Sequence, residues 1–303
     1  VKPGSHHEEW STEGRNERTV DIDCGDTLAI LRMLNQEDLG VALAVQKELP
    51  AIARAVEVIV VCLSSGGRLF YVGAGTSGRM GVIDAAECGP TFGVDAETVQ
   101  AIMAGGHPAV MAAVEGLEDD ADRGAADVRA RGVGHADALV AIAASGRTPY
   151  TLGALREAQL LGARTIAVCN NPGAPLAGMA EIAICPLTGP EAIMGSTRLK
   201  AGTAQKLILN MLSTAAMIRL GKVYSNLMVD LRPANTKLVQ RAKRIVALAS
   251  GCSQGEAARY LEAARFEVKV AVVMALTGLT APEAAVLLEE SGGHVRTAAR
   301  VSR

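Results

Sequence analysis

The stretch Arg68-Leu-Phe-Tyr-Val-Gly-Ala-Gly-Thr-Ser-Gly-Arg79 constrains the fold of this chain more than any other. Leu69 to Val72 is a short apolar run with aromatic and β-branched members, the pattern of a strand buried on both faces. Gly73 and Gly75 end it, and glycine supplies the backbone angles that a tight turn needs. Thr76 or Ser77 is then placed to cap a helix starting near Gly78. A strand that feeds a helix in this way aims free backbone N–H groups and the positive end of the helix dipole at the turn. Gly75, Thr76 and Ser77 are therefore candidates for holding an anion. The Gly-x-Gly-x-x-Gly spacing also fits a dinucleotide fingerprint. That fingerprint asks for an acid closing a second strand about 20 residues on, and Glu87 comes too early. The loop favours phosphate over NAD, and an ordinary strand-to-helix turn has the same pattern.

The unit recurs. Ala138 to Ala143 reads as a buried strand and runs into Ala144-Ser-Gly-Arg-Thr-Pro-Tyr150. Thr148 as N-cap and Pro149 at the first helical position mark a helix start. This second loop offers Ser145, Gly146, Arg147 and Thr148, and two Ser/Thr/Gly loops with an Arg in one sheet favour phosphate. Further strands are expected at Thr98–Ala104, Arg164–Cys169 and Glu181–Cys185. Strands alternating with helices predict an α/β fold with a doubly wound parallel sheet flanked by helices. Ligands of such sheets bind beyond the carboxyl ends of the strands, where both loops lie.

A third loop, Thr188 to Lys200, precedes a long helix expected from Thr197 to about Leu220 with Ser196 as its cap. It concentrates Glu191, Ser196, Thr197, Arg198 and Lys200. Cations at a helix N-terminus oppose the dipole, so Arg198 and Lys200 call for an anion or an acidic partner surface. The plainer alternative is a capped helix with a solvated basic first turn.

Two carboxylates stand out by position. The helix after the first loop is expected to run out at Gly89-Pro90, with Glu87 in its last turn. A helix opened by Pro108 is expected to end at Gly116, just after Glu115. A helix C-terminus disfavours negative charge and pushes a carboxyl pKa upward, which suits an acid or base near neutral pH. Two exposed surface glutamates fit the same pattern. Glu118-Asp-Asp120 opens the next helix, where acids favour the dipole, and reads as structural.

Residues Val1 to Trp10 read as unstructured, and Ser11–Asn16 as a polar, solvated arm. Thr27 is expected to cap a helix over Leu28–Asn35 with Leu28, Leu31 and Leu34 on one stripe. A longer helical stretch, Glu37–Ser64, breaks near Pro50. From Asn235 onward the pattern is a small helical bundle: Thr236–Ala249, Gln254–Leu276, Ala281–Glu290 and Val295–Arg300, with a Thr280/Glu283 capping box. The chain thus divides into an arm with helices (1–50), an α/β domain (51–234) and a C-terminal helical domain (235–303).

Composition narrows the function. A net charge of −2 gives no reason to expect nucleic acid or an anionic membrane surface. No uncharged apolar run reaches membrane-spanning length, since Arg54 and Glu57 interrupt the nearest one. The six cysteines show no metal spacing and suit a reduced, cytoplasmic protein, and no metal or cofactor is expected.

Six stretches follow one another along the chain: Ser11-Thr-Glu-Gly-Arg-Asn16, Gly73-Ala-Gly-Thr-Ser-Gly-Arg79, Asp84-Ala-Ala-Glu-Cys88, Ala113-Val-Glu-Gly116, Ala143-Ala-Ser-Gly-Arg-Thr-Pro149 and Gly195–Lys206. In this order they resemble the N-acetylmuramic acid 6-phosphate etherase family, of the sugar isomerase (SIS) fold. Gly89 stands where the family has a second proline. The C-terminal bundle resembles ubiquitin-associated-type domains. The resemblance implies a cytoplasmic homodimer of cell-wall amino-sugar recycling, with Glu87 and Glu115 as the catalytic pair. It implies cleavage of a lactyl ether from a phosphosugar, leaving N-acetylglucosamine 6-phosphate and D-lactate. Ten residues separate Ser77 from Glu87, a helical rise of about 15 Å, longer than one hexose phosphate. Glu87 is therefore expected to serve a phosphate held by other loops or by a partner subunit. The alternatives on this fold are an aldose–ketose isomerase and a non-catalytic phosphosugar sensor.

Overall fold

The computed structural model describes residues 10–112, 114, 116–231, 233 and 235–301. Elements follow in chain order: helices α1 (Thr27–Lys47) and α2 (Leu49–Ser64), strand β1 (Leu69–Gly73), helix α3 (Gly75–Phe92), β2 (Val99–Met103), α4 (Gly106–Met111), α5 (Ala121–Ala130), β3 (Ala138–Ile142), α6 (Pro149–Leu160), β4 (Arg164–Val168), α7 (Pro175–Met179), β5 (Ile182–Ile184) and α8 (Lys200–Arg219). Five helices close the chain: α9 (Thr236–Ser250), α10 (Gln254–Ala263), α11 (Val268–Thr277), α12 (Ala281–Glu290) and α13 (Val295–Val301).

All five strands pair in parallel, in the order β2-β1-β3-β4-β5. The doubly wound sheet expected from the sequence is therefore present. Side chains of β1 and β3 alternate between its two faces. Phe70, Val72, Leu139 and Ala141 share a core with Tyr150, Ala154, Leu155 and Ala158 of α6. Leu69, Tyr71, Ala138, Val140 and Ile142 face the other way and are just as buried, with α2 packed against β1, β3 and β5. Burial on both faces explains why these strands read as continuous apolar runs rather than as alternating ones.

Helices α5 and α6 approach closely enough that a Cβ on Gly124 or Gly153 would lie 2.0 Å from a carbonyl oxygen of the other helix. The Tyr150 hydroxyl bridges them by donating to Asp127 at 2.7 Å. Burial first, and Asp127 second, push its ionisation well above the usual tyrosine range.

Contacts divide the chain into two compact units, one of Val1–Ala85 with Glu97–Leu212 and one of Ala86–Ala96 with Ser213–Arg303. The second has its own core, built on Val246, Leu261, Ala271, Val272 and Ala284.

Several boundaries differ from the sequence reading. Asp26, not Thr27, caps α1, its carboxylate accepting from the Ala29 N–H at 2.8 Å, and α1 runs on without a break to Lys47. Leu28 and Leu31 of the expected stripe stay exposed. Helix α3 starts at Gly75 and passes through Pro90 to Phe92, the buried Cys88 and Phe92 anchoring its last turns. Glu87 is thus five residues short of the helix end, and the C-terminal position inferred for it does not hold. Helix α4 ends at Met111, so Gly116 is not its terminator; Glu115 lies outside the described residues, as do Val1–Glu9 of the arm. The helix expected over Gln254–Leu276 is two, α10 and α11, broken where Arg265 and Phe266 take left-handed backbone angles (φ 51° and 65°). The Thr280–Glu283 capping box is formed, and Ser253–Glu256 makes a second that the sequence reading did not single out.

Candidate active site

In the sheet order, β1 and β3 are neighbours whose chain connections leave in opposite directions, toward β2 and toward β4. This is the switch point at which doubly wound sheets open a crevice beyond the strand ends. The two Gly/Ser/Thr loops stand there, one after each of these strands.

After β1, Gly75 takes φ 54° and opens α3, which places Thr76 and Ser77 in the first helical turn rather than before it. Gly202 of α8 lets the Thr76 methyl approach to 3.3 Å of where a Cβ would be, so the first turns of α3 and α8 meet. Arg79 is engaged elsewhere. It donates to the carbonyls of Ala109 (2.8 Å), Val110 (3.0 Å) and Ala112 (3.0 Å), closing the end of α4. An Arg in this loop is thus not a free phosphate ligand.

After β3, Gly146 takes φ 67°, and a Cβ there would fall 2.5 Å from the Ala174 Cβ. The Ser145 hydroxyl accepts from the Arg147 N–H at 3.2 Å, leaving its own proton to donate. Thr148 precedes Pro149 as expected, but its hydroxyl makes no capping bond. Arg147 lies over the Trp10 ring, 5.3 Å from its centroid. Ser145, Arg147, Thr148 and Pro149 line a cavity of about 420 Å³ together with Trp10, Glu13, Glu118 and Asp119.

The arm expected to be solvated is instead seated on this site. Thr12 is buried, and its hydroxyl accepts from Asn171 Nδ2 at 3.2 Å. The same Nδ2 donates to the carbonyls of Ala144 (3.3 Å) and Ser145 (3.4 Å), which ties the arm to the second loop. Asn16 donates to Glu37 (2.7 Å) and to the Pro190 carbonyl (3.2 Å), and Thr19 donates to the Ala192 carbonyl (2.8 Å).

The third loop behaves differently from its sequence reading. Helix α8 begins at Lys200, not Thr197, and the buried Glu191 carboxylate caps it by accepting from the N–H groups of Lys200 (2.8 Å) and Ala201 (2.9 Å). The anion called for beside Lys200 is the chain's own Glu37, 2.8 Å from Nζ. Arg18, then Lys200 and Asn16, hold the Glu37 carboxyl down at about 2 despite its burial. Arg198 precedes the helix and is exposed, while Ser196 and Thr197 are half-buried beside it.

The structure thus gathers Ser145, Arg147 and Thr148 around one cavity, and joins Thr76 to the first turn of α8. Glu87 is exposed on α3, more than two turns beyond Ser77, in the segment that belongs to the second unit. The second unit holds a cavity of about 440 Å³ lined by Lys222, Asp230, Arg265 and Lys269. Asp230 bridges Lys222 (3.1 Å) and Lys269 (2.7 Å) there, and no strand-end loop lines it. The cavity at the switch point is therefore the candidate site. Sequence reasoning missed Trp10, Glu13, Glu118 and Asp119 as lining residues; the motif Ser11–Asn16 was the available signal for Glu13.

Residues 51–159 match the model described as the glucokinase regulatory protein N-terminal SIS domain. The solved phosphoheptose isomerase of Neisseria gonorrhoeae superposes with a TM-score of 0.50 over 63% of this chain and 98% of its own, at 19% identity, which speaks to the fold. The N-acetylmuramic acid 6-phosphate etherase of Erwinia tasmaniensis is 53% identical over 95% of this chain and 94% of its own. Those of Aeromonas hydrophila and Symbiobacterium thermophilum are 55% identical (94% and 95% covered) and 58% identical (88% and 89% covered). The chain belongs to the N-acetylmuramic acid 6-phosphate etherase family. Coverage this complete spans both units, so membership in the family includes the helical bundle as well as the sheet.

Proposed function

We propose that this protein is a carbon–oxygen lyase that cleaves the lactyl ether of N-acetylmuramic acid 6-phosphate, giving N-acetylglucosamine 6-phosphate and D-lactate in cell-wall amino-sugar recycling. The observation that carries the site assignment is the cavity at the switch point. It sets hydroxyl and guanidinium donors (Ser145, Thr148, Arg147) against carboxylates (Glu13, Glu118, Asp119). The donors suit a phosphate, and carboxylates suit proton transfer to and from a sugar.

In this reading the phosphate anchors the ring-opened sugar at Ser145, Gly146, Arg147 and Thr148, with Gly75, Thr76, Ser77, Ser196 and Thr197 as the neighbouring shell. Glu191 and Lys200 support that shell from within, through the cap and the buried pair. Opening the ring places an aldehyde at carbon 1 and acidifies the proton at carbon 2. A carboxylate takes that proton, the bond from carbon 3 to the lactyl oxygen breaks, and a carboxylic acid protonates the departing oxygen. Water then adds across the double bond, its hydroxyl going to carbon 3 and a proton returning to carbon 2. Binding energy from the remote phosphate holds the reacting carbons in place.

Glu87 is the proposed acid. Glu115 is the proposed base, two residues before the segment that gives Glu118 and Asp119 to the cavity. Glu87 sits on the second unit's part of α3, and a homodimer in which one subunit's Glu87 serves its partner's phosphate loop is the arrangement we favour.

Deuterated water separates the roles. Glu87→Gln should stop lactate release yet still exchange the carbon 2 proton, whereas Glu115→Gln should lose both. If Glu115→Gln keeps exchange and Glu118→Gln loses it, the base is Glu118, which lines the cavity. Mixing inactive Glu87 and Ser145 variants under demonstrated subunit exchange should restore activity; none restored would remove the shared site. Absence of lactate release from the wild-type protein would end the etherase reading.

A further inference from the structure

Two buried thiols that the reaction does not use lie side by side beneath the second loop. Cys169 directly follows β4 and Cys185 directly follows β5, and these strands pair in register up to Val168 and Ile184. The two residues are therefore lateral neighbours one step beyond the ladder. Adjacent strands lie about 4.8 Å apart, inside the range of Cα separations that a disulfide spans. Both cysteines are free thiols in one apolar core, 0% and 8% exposed, with their sulfurs 3.6 Å apart. The Cys169 thiol donates to the Asn171 carbonyl at 3.5 Å, so the proton between the two sulfurs is that of Cys185. That bond draws the Cys169 ionisation below the usual cysteine range, and the thiolate is the form that attacks an oxidant.

Cys169 also supports the second loop from below. A Cβ on Gly146 would lie 3.3 Å from the Cys169 sulfur. The Asn170 N–H donates to the Ala144 carbonyl at 2.9 Å. Asn171 Nδ2 reaches the Ala144 and Ser145 carbonyls and the Thr12 hydroxyl. A change at the sulfur pair is thus transmitted to the loop and to the arm together.

We propose that Cys169 and Cys185 form a reversible oxidation site, a dithiol that hydrogen peroxide converts into a disulfide, loosening the Ser145–Arg147 turn and the arm. The Cys169 thiolate attacks one peroxide oxygen, the O–O bond breaks, and the departing hydroxide takes the thiol proton to leave as water. Cys169 is now a sulfenic acid. The Cys185 sulfur attacks it, the S–O bond breaks, and hydroxide leaves with the Cys185 proton as a second water. The sulfurs close from 3.6 Å to the roughly 2 Å of an S–S bond, and the Asn171 carbonyl loses its thiol donor. Peroxide is scarcely larger than water, and its way in is the sheet edge, where the three-residue β5 pairs with β4 alone. The cross-link and the loosening follow from the sulfur geometry; the loss of phosphate that they bring rests on the lyase reading.

Full-length protein, reduced and then treated with hydrogen peroxide, tests this by peptide mass mapping and amide hydrogen exchange. The map should show a Cys169–Cys185 cross-link, lighter by the two thiol hydrogens. Peptides covering Trp10–Asn16 and Ala144–Thr148 should exchange about tenfold faster, the scale of one lost hydrogen bond, and dithiothreitol should restore the slow rate. Inorganic phosphate should bind the oxidised form about tenfold more weakly in calorimetry. Cys185→Ser should form no cross-link and keep slow exchange under peroxide. A map without this cross-link, a cross-linked protein with unchanged exchange, or equal loosening in Cys185→Ser overturns the proposal, and the first two are read on wild type alone. Reduced wild type that binds no phosphate, or oxidised protein that binds it unchanged, would take the phosphate away from this loop and leave the cross-link and exchange results standing.

Discussion

Replacing Glu37 by Gln should be among the most damaging single substitutions outside the catalytic cavity. Glu37 and Lys200 are 3% and 2% exposed at the side chain, and the Lys200 ammonium has Glu37 as its partner at 2.8 Å. The same carboxylate accepts from Asn16 and Arg18, so it joins the arm, α1 and the start of α8. Removing one partner of a buried pair strands the other charge, at a cost of about 3–5 kcal/mol. The depressed carboxyl pKa points the same way. Its fall from 4.5 to about 2 is worth roughly 3 kcal/mol in favour of the folded state. Because the folded value is depressed, this stabilisation is complete above about pH 4.5 and disappears as the pH falls through about 2. Urea unfolding at pH 7 checks the magnitude, with Trp10, the single tryptophan, reporting on the arm. Glu37→Gln should lose about 3–5 kcal/mol at pH 7 and progressively less relative to wild type below pH 4.5. The double variant Glu37→Leu/Lys200→Met removes both charges and should recover about 2 kcal/mol of that loss. A loss under about 1 kcal/mol, or a double variant no more stable than the single, would refute the buried-pair argument.

Ser145→Ala and Thr148→Val should each weaken inorganic phosphate as a competitor by about 1.5–3 kcal/mol, read from inhibition constants; unchanged constants in both would move the phosphate to the Thr76 and Ser196 neighbourhood. Gly153→Ala places a methyl 2.0 Å from the Ala121 carbonyl and should cost about 2 kcal/mol or more in urea unfolding, since α5 and α6 must separate. Arg265→Gly relieves a left-handed residue at φ 51° and should stabilise the helical unit by about 1 kcal/mol; a loss of stability would mean that the Arg265 side chain contributes more than its backbone strain costs. Thr280→Ala dismantles the capping box with Glu283 and should lose about 1 kcal/mol, visible as a lower urea midpoint.

The sheet and most of its loops were legible in the sequence because their signals are local. Leu69–Val72 and Ala138–Ile142 are apolar on both faces, Gly75 and Gly146 occupy turns with positive φ, and Pro149 starts α6. The capping boxes are local for the same reason: a hydroxyl and a carboxylate three residues apart meet by helix geometry alone. What escaped the sequence depends on partners far along the chain. Helix α8 starts at Lys200 because Glu191 folds back to its first N–H groups, and Lys200 needs no bound ligand because Glu37, 163 positions earlier, supplies the negative charge. The arm reads as solvated until Asn171 takes Thr12 and Pro190 takes Asn16, across 159 and 174 positions. Helix α3 passes through Pro90 because buried Cys88 and Phe92 hold turns that a proline would otherwise end. Periodicity, turn residues and caps are written within a few residues of one another, and the sequence by itself determines them. Which charge neutralises which, and which polar segment becomes a wall of the cavity, is decided by desolvation and pairing between segments that only the folded chain brings together.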